Sequence, residues 1–575
     1  MLRPLVMSDR PGNRASPWVA FVIALVMNLS NLWEPLAVDD VCHQYYAEQV
    51  SKDPLHPFEF DLVWHQKPVP AWDVMVAPVN SYYWAPAILL FGGAANGSTV
   101  GWKLWYLPVQ FLFCWSLLLL LRRVAPRTAP ALLAMLALGP AVLPGVNLML
   151  EVPMLSLGFT SLVLLLRACD RRSLLSAALG GLVWGLAFQT KYSAMGFFGP
   201  WLLVAVFRGA WPQFLVGFVC AAGTALGIEG LLSLSHGGGS YFMRQLELTQ
   251  VRDWVHNVRG MYSQVGMLAA PVAFLALSVL GAKGWMRWLF LALFAGALVV
   301  VGMVHKQRSL LEGAPDAIAY LILATATWSV IVRVLYVLVR RALRQVCALG
   351  CRPSSLWCLG LACWVPGEVL ASFVVSPFPA ARRSMLVVIA FTFAVGWLMA
   401  RRRGSAAVFR GVVVASVGLG FCYQGVDLLE GRAVTRVATE SVARVREHAG
   451  PQAEPRIYFS GGWAFEFYAP RAGMKPFLRG VVEAKPGDYV VLGSIDGGEE
   501  PWFDINSPLW NERVDYVDDI GIGDFVPFSM QFNYYSGRRP IDGQKGARYH
   551  GWIYRVKVPF HTKELPPAPE PFRVG

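Results

Sequence analysis

The sequence predicts a polytopic α-helical membrane protein carrying a small mixed α/β domain at its C-terminal end, and three observations lead there. Of the 575 residues, 55% are hydrophobic and only 15% charged, against the roughly 25% charged that an ordinary soluble domain carries. Apolar runs of about 17 to 25 residues, each long enough to cross a hydrocarbon core as a helix, recur from Trp18 to about Tyr423 and stop after Gly425. Basic clusters alternate along the chain with weakly charged or acidic loops, the pattern by which Lys and Arg mark cytoplasmic loops.

The clusters are the N-terminal arginines, Arg122/Arg123/Arg127, Arg167/Arg171/Arg172, Arg208, Lys283/Arg287, Arg340/Arg341/Arg344 and Arg401/Arg402/Arg403. Between them the runs fall at about 18–36, 102–121, 128–147, 152–167, 173–189, 193–207, 212–235, 262–281, 286–304, 315–338, 355–376, 384–400 and 406–424, which makes about thirteen spans. An odd number after a cytoplasmic start places the C-terminal end outside the cytoplasm. Residues 1–17 are then a cytoplasmic N-terminus, 18–425 the transmembrane domain with an outer loop over 38–100, 426–560 an extracytoplasmic α/β domain, and 561–575 a loose Pro-rich end.

Within the outer loop, apolar pieces such as Tyr82 to Phe91 are too short to span and fit the interface, where Trp64, Trp72, Tyr82, Tyr83 and Trp84 belong at headgroup depth. Ser240 to Arg259 is amphipathic in the same way. In the tail, Arg456 to Phe459, Asp488 to Leu492, Arg513 to Val517 and Trp552 to Val558 are short β-branched or aromatic stretches between Gly, Asp and Pro. They read as strands, with a short helix over Gly462 to Tyr468.

The net charge of +13 sits at the ends of apolar runs rather than along one soluble face, so a nucleic-acid partner is set aside. The nine cysteines lie mostly inside apolar runs, and none follows Gly425, so no disulfide framework is indicated. Cys347 and Cys351 lack further ligands nearby for zinc. The N-terminal arginines before Trp18 to Leu36 look like a signal peptide, but the run is long and lacks a small-residue cleavage pattern, which makes it a retained first helix. No nucleophile elbow with Ser, His and Asp is visible.

Chemistry concentrates at the outer ends of the spans. Asp39 and Asp40 stand together directly after the first apolar run. Ionisable groups at membrane depth are expensive and mark function by default, and a like-charged neighbour raises one partner's pKa toward that of a base. A solvated helix cap is the plain alternative. Glu151 falls on the same side between the third and fourth runs. Lys191 lies there too, between the fifth and sixth runs and against the positive-inside trend; it either binds an anion or reaches lipid phosphate. Lys306 and Arg308, with His305, cluster at the outer end of the ninth run and suit a phosphate or lipid headgroups. Arg382 and Arg383 are similar and weaker, and His43 reads as a satisfied polar residue.

An acidic pair opening a long first outer loop, an acid at the next outer turn, and Gly181-x-x-x-Gly185 followed by Thr190-Lys191 together resemble the GT-C membrane glycosyltransferases. More narrowly the set is similar to the protein O-mannosyltransferase and lipid A aminoarabinose transferase group, over Trp18 to Arg208, with later spans alike only in hydropathy. The resemblance implies that Asp39 acts on the acceptor with Asp40 beside it, and that Lys191 faces the donor phosphate. The family's Pro-Pro-Leu motif appears here only as Ala77-Pro78-Val79-Asn80, without the preceding metal- or acceptor-binding residue. No cofactor is therefore required by the set, and divalent-metal dependence stays open.

The function expected on these grounds is inverting transfer of a sugar from a polyprenyl-phosphate donor to a hydroxyl of a lipid, glycan or protein on the outer face. Asp39 is the base, Glu151 holds sugar hydroxyls or assists, and Lys191 with Lys306 or Arg308 stabilises the departing phosphate. The setting is a multi-pass cell membrane protein, of a bacterial inner membrane, in contact with membrane lipids. A transporter or flippase for a lipid-linked sugar is the alternative, although it would place charges on broken helices near mid-bilayer and show internal repeats. An inactive anchor for a working tail is a third.

Overall fold

The structure, a computed structural model, describes residues 16–36, 40–64, 67–74, 77–248, 254–306, 314–349, 353–375, 380–402, 405–462, 464–495, 501–522 and 549–568. Each of the thirteen apolar runs carries helix. Fewer cross by themselves: six helices among the described residues have the length and apolarity to span a membrane, namely Thr99–Val124, Glu151–Arg171, Trp211–Ser235, Leu321–Cys347, Ala381–Met399 and Ala406–Ala449. A seventh is reached if Gly260–Leu268 and Ala270–Val279, bent by 58°, form one span. The run at 128–147 shows why the count differs. Its helix, Ala129–Ala137, stops before Gly139-Pro140, and Leu143–Gly145 is only a 3-10 turn. Proline removes a backbone donor and clashes with the preceding turn, so an apolar stretch with two prolines does not stay helical.

Small residues set how closely the helices pack. A Cβ on Gly181 would lie 2.0 Å from the carbonyl oxygen of Gly217, and one on Gly185 would lie 2.7 Å from that of Ala221. Leu174–Phe188 and Trp211–Ser235 therefore cross backbone to backbone, the familiar use of glycines four apart in a membrane helix. The Gly-x-x-x-Gly element of the sequence is a packing device whose consequence is the placement of the turn that follows it.

The first loop forms helix Asp40–Lys52, a hairpin of Asp61–Trp64 with Lys67–Pro70, and helix Pro78–Phe91. Tyr46, Phe58, Leu62, Trp72 and Tyr241 make an aromatic core for it, joining the loop to helix Tyr241–Leu248.

In the tail a five-stranded sheet runs in the order Lys475–Pro476, Ile457–Ser460, Tyr489–Ile495, Tyr549–Val556, Val514–Ile522. Ile457–Ser460 is parallel to Tyr489–Leu492, and helix Ala464–Arg471 lies in the crossover between them. The mixed α/β character expected of the tail is present. Two boundaries move. The helix expected to end near 424 continues unbroken to Ala449, because past Gly425 its exposed face carries Arg436 with Glu440 and Arg444 with Glu447, spacings that support a solvated helix. The sheet rests on this extension: a Cβ on Gly551 would meet Ser441 Oγ at 2.5 Å. Residues 561–568 are packed, not loose, since Phe560–His561 pairs with Glu483–Ala484 and Pro567 bridges Phe503.

The tail is tied to the first loop by Arg471. Its guanidinium donates to the carbonyls of Ala94 (2.8 Å) and Gly97 (3.0 Å) and lies over the ring of Phe467. Replacing Arg471 by Ala strips three charge-assisted bonds from two carbonyls, a loss of about 2 kcal/mol. Limited proteolysis should then cut earlier between the tail and the bundle, and unchanged cutting would count against this docking.

Candidate active site

The chain leading to the acidic pair is held by its surroundings rather than by its own helix. After Pro17–Asn31 ends, Lys103 donates to the Asn31 carbonyl (2.8 Å) and to that of Glu34. Asn147 Nδ2 donates to the Pro35 carbonyl at 3.1 Å, and Gln424 donates to the Glu34 carboxylate. The Leu36 N–H donates to Tyr468 Oη at 2.7 Å, so the tail itself grips the segment that leads into Asp39. Asp39 lies outside the described residues. Asp40 opens helix Asp40–Lys52, fully buried, where a carboxylate suits the helix dipole, and its charge bears on Lys103 and Tyr468.

Glu151 opens helix Glu151–Arg171 directly after the irregular stretch that Asn147 and Tyr106 pin down, the latter by its hydroxyl on the Met149 carbonyl at 2.6 Å. The side chain is 3% exposed and is ion-paired with Lys191. Arg382 Nε sits 3.5 Å from the same carboxylate oxygen. Sequence separations of 40 and 231 thus close on one carboxyl group.

Lys191 reaches it because helix Leu174–Phe188 ends at Gln189 and the backbone of Lys191 turns extended, with φ −159° and ψ 125°, ahead of a 3-10 turn over Tyr192–Phe197. Trp184 Nε1 bonds the Ala194 carbonyl at 3.0 Å and fixes that turn. The first loop docks here too, since Val79 N–H donates to the Gln189 carbonyl at 3.1 Å. Burial pushes the Lys191 ammonium down to about 8, with Glu151 opposing the fall and Arg382 and Arg383 adding to it.

Three cations, Lys191, Arg382 and Arg383, bear on the single carboxylate of Glu151. Cations gathered around one buried carboxylate suit contact with an anionic group. The second oxygen of Glu151 is enclosed and has no hydrogen-bond partner among the described residues. The same holds for both amide atoms of Gln44 and Asn80, for Gln189 Oε1 and for the Tyr192 hydroxyl. Gln44 is one turn from Asp40, Asn80 follows the docked Val79, and Gln189 and Tyr192 flank Lys191. Buried polar groups without partners cost about 1–3 kcal/mol each, so such atoms on Glu151 itself and on the residues flanking its partner Lys191 suit a polar group that completes them.

Of the expected residues, Glu151 and Lys191 meet, while the charge of Asp40 bears on Lys103 and Tyr468. Only the backbone of Lys306 is described, as the last residue of helix Gly284–Lys306, and Arg308 lies outside the described residues. Arg382, ranked low from sequence because arginines at span ends usually meet headgroups, is the residue that joins the site. The one arrangement of metal-ligand type among the described residues is Asp53, His56 and Glu59, engaged with itself, since His56 Nδ1 lies 2.8 Å from the Asp53 carboxylate.

These features define a multi-helix membrane protein with a strand-containing C-terminal domain and a buried meeting of Lys191 and Arg382 at Glu151. No family model matches the chain, and no curated protein does. Among solved structures it is similar to ArnT from Cupriavidus metallidurans bound to undecaprenyl phosphate, at 15% identity over 84% of this chain and 94% of that one, with a TM-score of 0.39. It is also similar to the archaeal oligosaccharyltransferase AglB from Archaeoglobus fulgidus in complex with an inhibitory peptide and a dolichol-phosphate, at 12% identity over 83% and 69% with a TM-score of 0.42. The apo form of ArnT gives 14% identity over 83% and 92%, with a TM-score of 0.36. At such scores the likeness carries no functional weight, which rests on the residues.

Proposed function

We propose that the chain is an inverting glycosyltransferase that moves a sugar from a polyprenyl-phosphate donor to an acceptor hydroxyl on the non-cytoplasmic face of the membrane. The observation that carries the reading is the buried meeting of Lys191 and Arg382 at one oxygen of Glu151, whose second oxygen has no hydrogen-bond partner among the described residues. A sugar phosphate answers both demands: phosphate for the cations, hydroxyls for Glu151 Oε2, Asn80 and Gln44.

In this reading Asp39 takes the proton of the acceptor hydroxyl as its oxygen attacks the anomeric carbon from the face opposite the phosphate. The bond from the anomeric carbon to the phosphate oxygen breaks, and its electron pair stays on the phosphate, whose growing charge Lys191 and Arg382 stabilise. Asp40 holds the base in place beside Lys103. Ala77, standing just before Pro78 where the resemblance would put a metal or acceptor ligand, offers no ligand atom in its side chain, so the phosphate is assigned to the cations.

The direct experiment compares membrane lipids, glycans and exported proteins by mass spectrometry between cells with and without the chain. A product mass differing by one sugar supports transfer, whereas a lipid-linked sugar that only changes sides supports the transporter alternative. The Lys191 ammonium gives a pH test. Its cation is present below about 8 and is lost as pH rises through that value, so donor turnover should fall above pH 8. Lys191→Arg should move that alkaline limb upward, because a guanidinium stays charged. An unmoved limb would take the phosphate role from Lys191.

A further inference from the structure

The helix that begins with Glu151 carries a second cluster at its other end. Asp170 lies 19 residues on, about 30 Å along the axis and close to the thickness of a hydrocarbon core. There Arg123 donates to Asp170 at 2.7 Å and Arg208 at 3.2 Å, so one carboxylate is shared by two arginines, and the charge of Arg172 is felt at the adjoining Cys169 as well. Arg208 Nε is enclosed without an acceptor among the described residues. Positive charge and donor capacity therefore remain after Asp170 has bound both.

Arg123 and Arg208 also line a narrow groove between the helices of Leu120, Leu162, Val204, Trp364 and Phe393. Apart from Arg123 and Arg208 its lining is apolar. Leu203 and Phe207 at its edge are half-buried, so the groove opens between helices rather than closing on itself.

We infer that this groove is a binding site for an anionic phospholipid, with one acyl chain between the helices and the phosphate at Arg123 and Arg208. Lipid is the solvent around these helices, and an apolar slot open to it fills with hydrocarbon. Arg123 stands at the end of the bilayer-length helix Thr99–Val124, Asp170, which both arginines bind, at the end of the bilayer-length helix Glu151–Arg171, and Arg208 closes the shorter helix Phe198–Arg208 beside them. Charges at span ends lie at headgroup depth and attract an anionic headgroup over a zwitterionic one, which would bring its ammonium against them. The inference needs only the membrane reading, not sugar transfer, since the cluster lies a membrane thickness from Glu151.

The test reconstitutes the full chain with trace phosphatidylglycerol bearing a photoactivatable group on its acyl chain, and maps adducts by peptide mass spectrometry. Adducts in 200–208 and 358–366 should form about fivefold more with phosphatidylglycerol than with the phosphatidylcholine analogue. They should be lost in Arg123→Gln/Arg208→Gln, and also in Leu203→Trp, which fills the slot and keeps both arginines should the double variant fail to fold. Equal labelling by both lipids, labelling that survives Leu203→Trp, or displacement by added polyprenyl phosphate at trace concentration would each overturn the assignment.

Discussion

Lys191→Met is expected to reduce sugar transfer by about a hundred- to a thousandfold, the effect of removing one group that stabilises a developing oxyanion. The loss should lie in turnover more than in donor affinity, because the phosphate gains charge as its bond to the sugar breaks and Lys191 answers that gain. Methionine keeps the length and apolar stem of lysine while removing the charge. Glu151 would keep Arg382 at 3.5 Å, so the buried carboxylate is not stranded. Lys191→Arg supplies the control, since it restores charge and should recover part of the activity if charge is what matters. Abundance and melting in detergent must be read alongside. A Lys191→Met protein that transfers sugar within about threefold of the parent would remove Lys191 from the oxyanion role.

Much of the helical plan is legible in sequence, since long apolar runs and their basic ends follow from lipid as solvent. What periodicity misses is local chemistry inside an apolar run. Gly139-Pro140 interrupts one such run, and a hydropathy window does not see it. The tail's strands show as β-branched stretches, yet their order depends on the crossover helix Ala464–Arg471 and on pairings between segments more than 50 residues apart, such as Tyr489–Ile495 with Tyr549–Val556. Glu151 and Lys191 stood out because each is a costly charge at the end of a run. Arg382 did not, since an arginine at a helix end has an ordinary explanation in headgroup contact. Lys103, 69 positions from its Glu34 partner, and Gln424, 390 from the same residue, reach that segment only through the fold. The Gly181-x-x-x-Gly185 pattern pointed to the right turn for another physical reason: it brings two helices together and so aims Lys191.

This arrangement also gives the tail a part in the site. Tyr468 holds the Leu36 N–H, Gln424 holds Glu34, and both belong to elements after residue 405, while Lys103 and Asn147 hold the same segment from the bundle. The stretch just before Asp39 is therefore clamped from two sides, as a base that must meet a bound hydroxyl within a fraction of an ångström requires.

From that clamping comes the second large effect. Asp39→Asn should lower transfer by about a hundred- to ten-thousandfold, the range for removing a positioned general base, with donor binding nearly intact. Asparagine is close to isosteric and keeps an acceptor oxygen, so the hydrogen bonds that orient the hydroxyl can persist while the proton has nowhere to go. Asp40→Asn is the discriminating partner. Asp40 is fully buried at a helix start and faces Lys103, so its loss acts through placement of the loop: it should lower stability and raise the acceptor KM, with a smaller change in kcat. Measured in matched membranes at several acceptor concentrations, Asp39→Asn should thus fall in kcat and Asp40→Asn chiefly in KM. If Asp40→Asn instead abolishes turnover while Asp39→Asn stays within about tenfold of the parent, the base is Asp40 and the assignment of roles within the pair is reversed. If both variants transfer sugar normally, the pair is a helix cap and the acceptor is activated elsewhere.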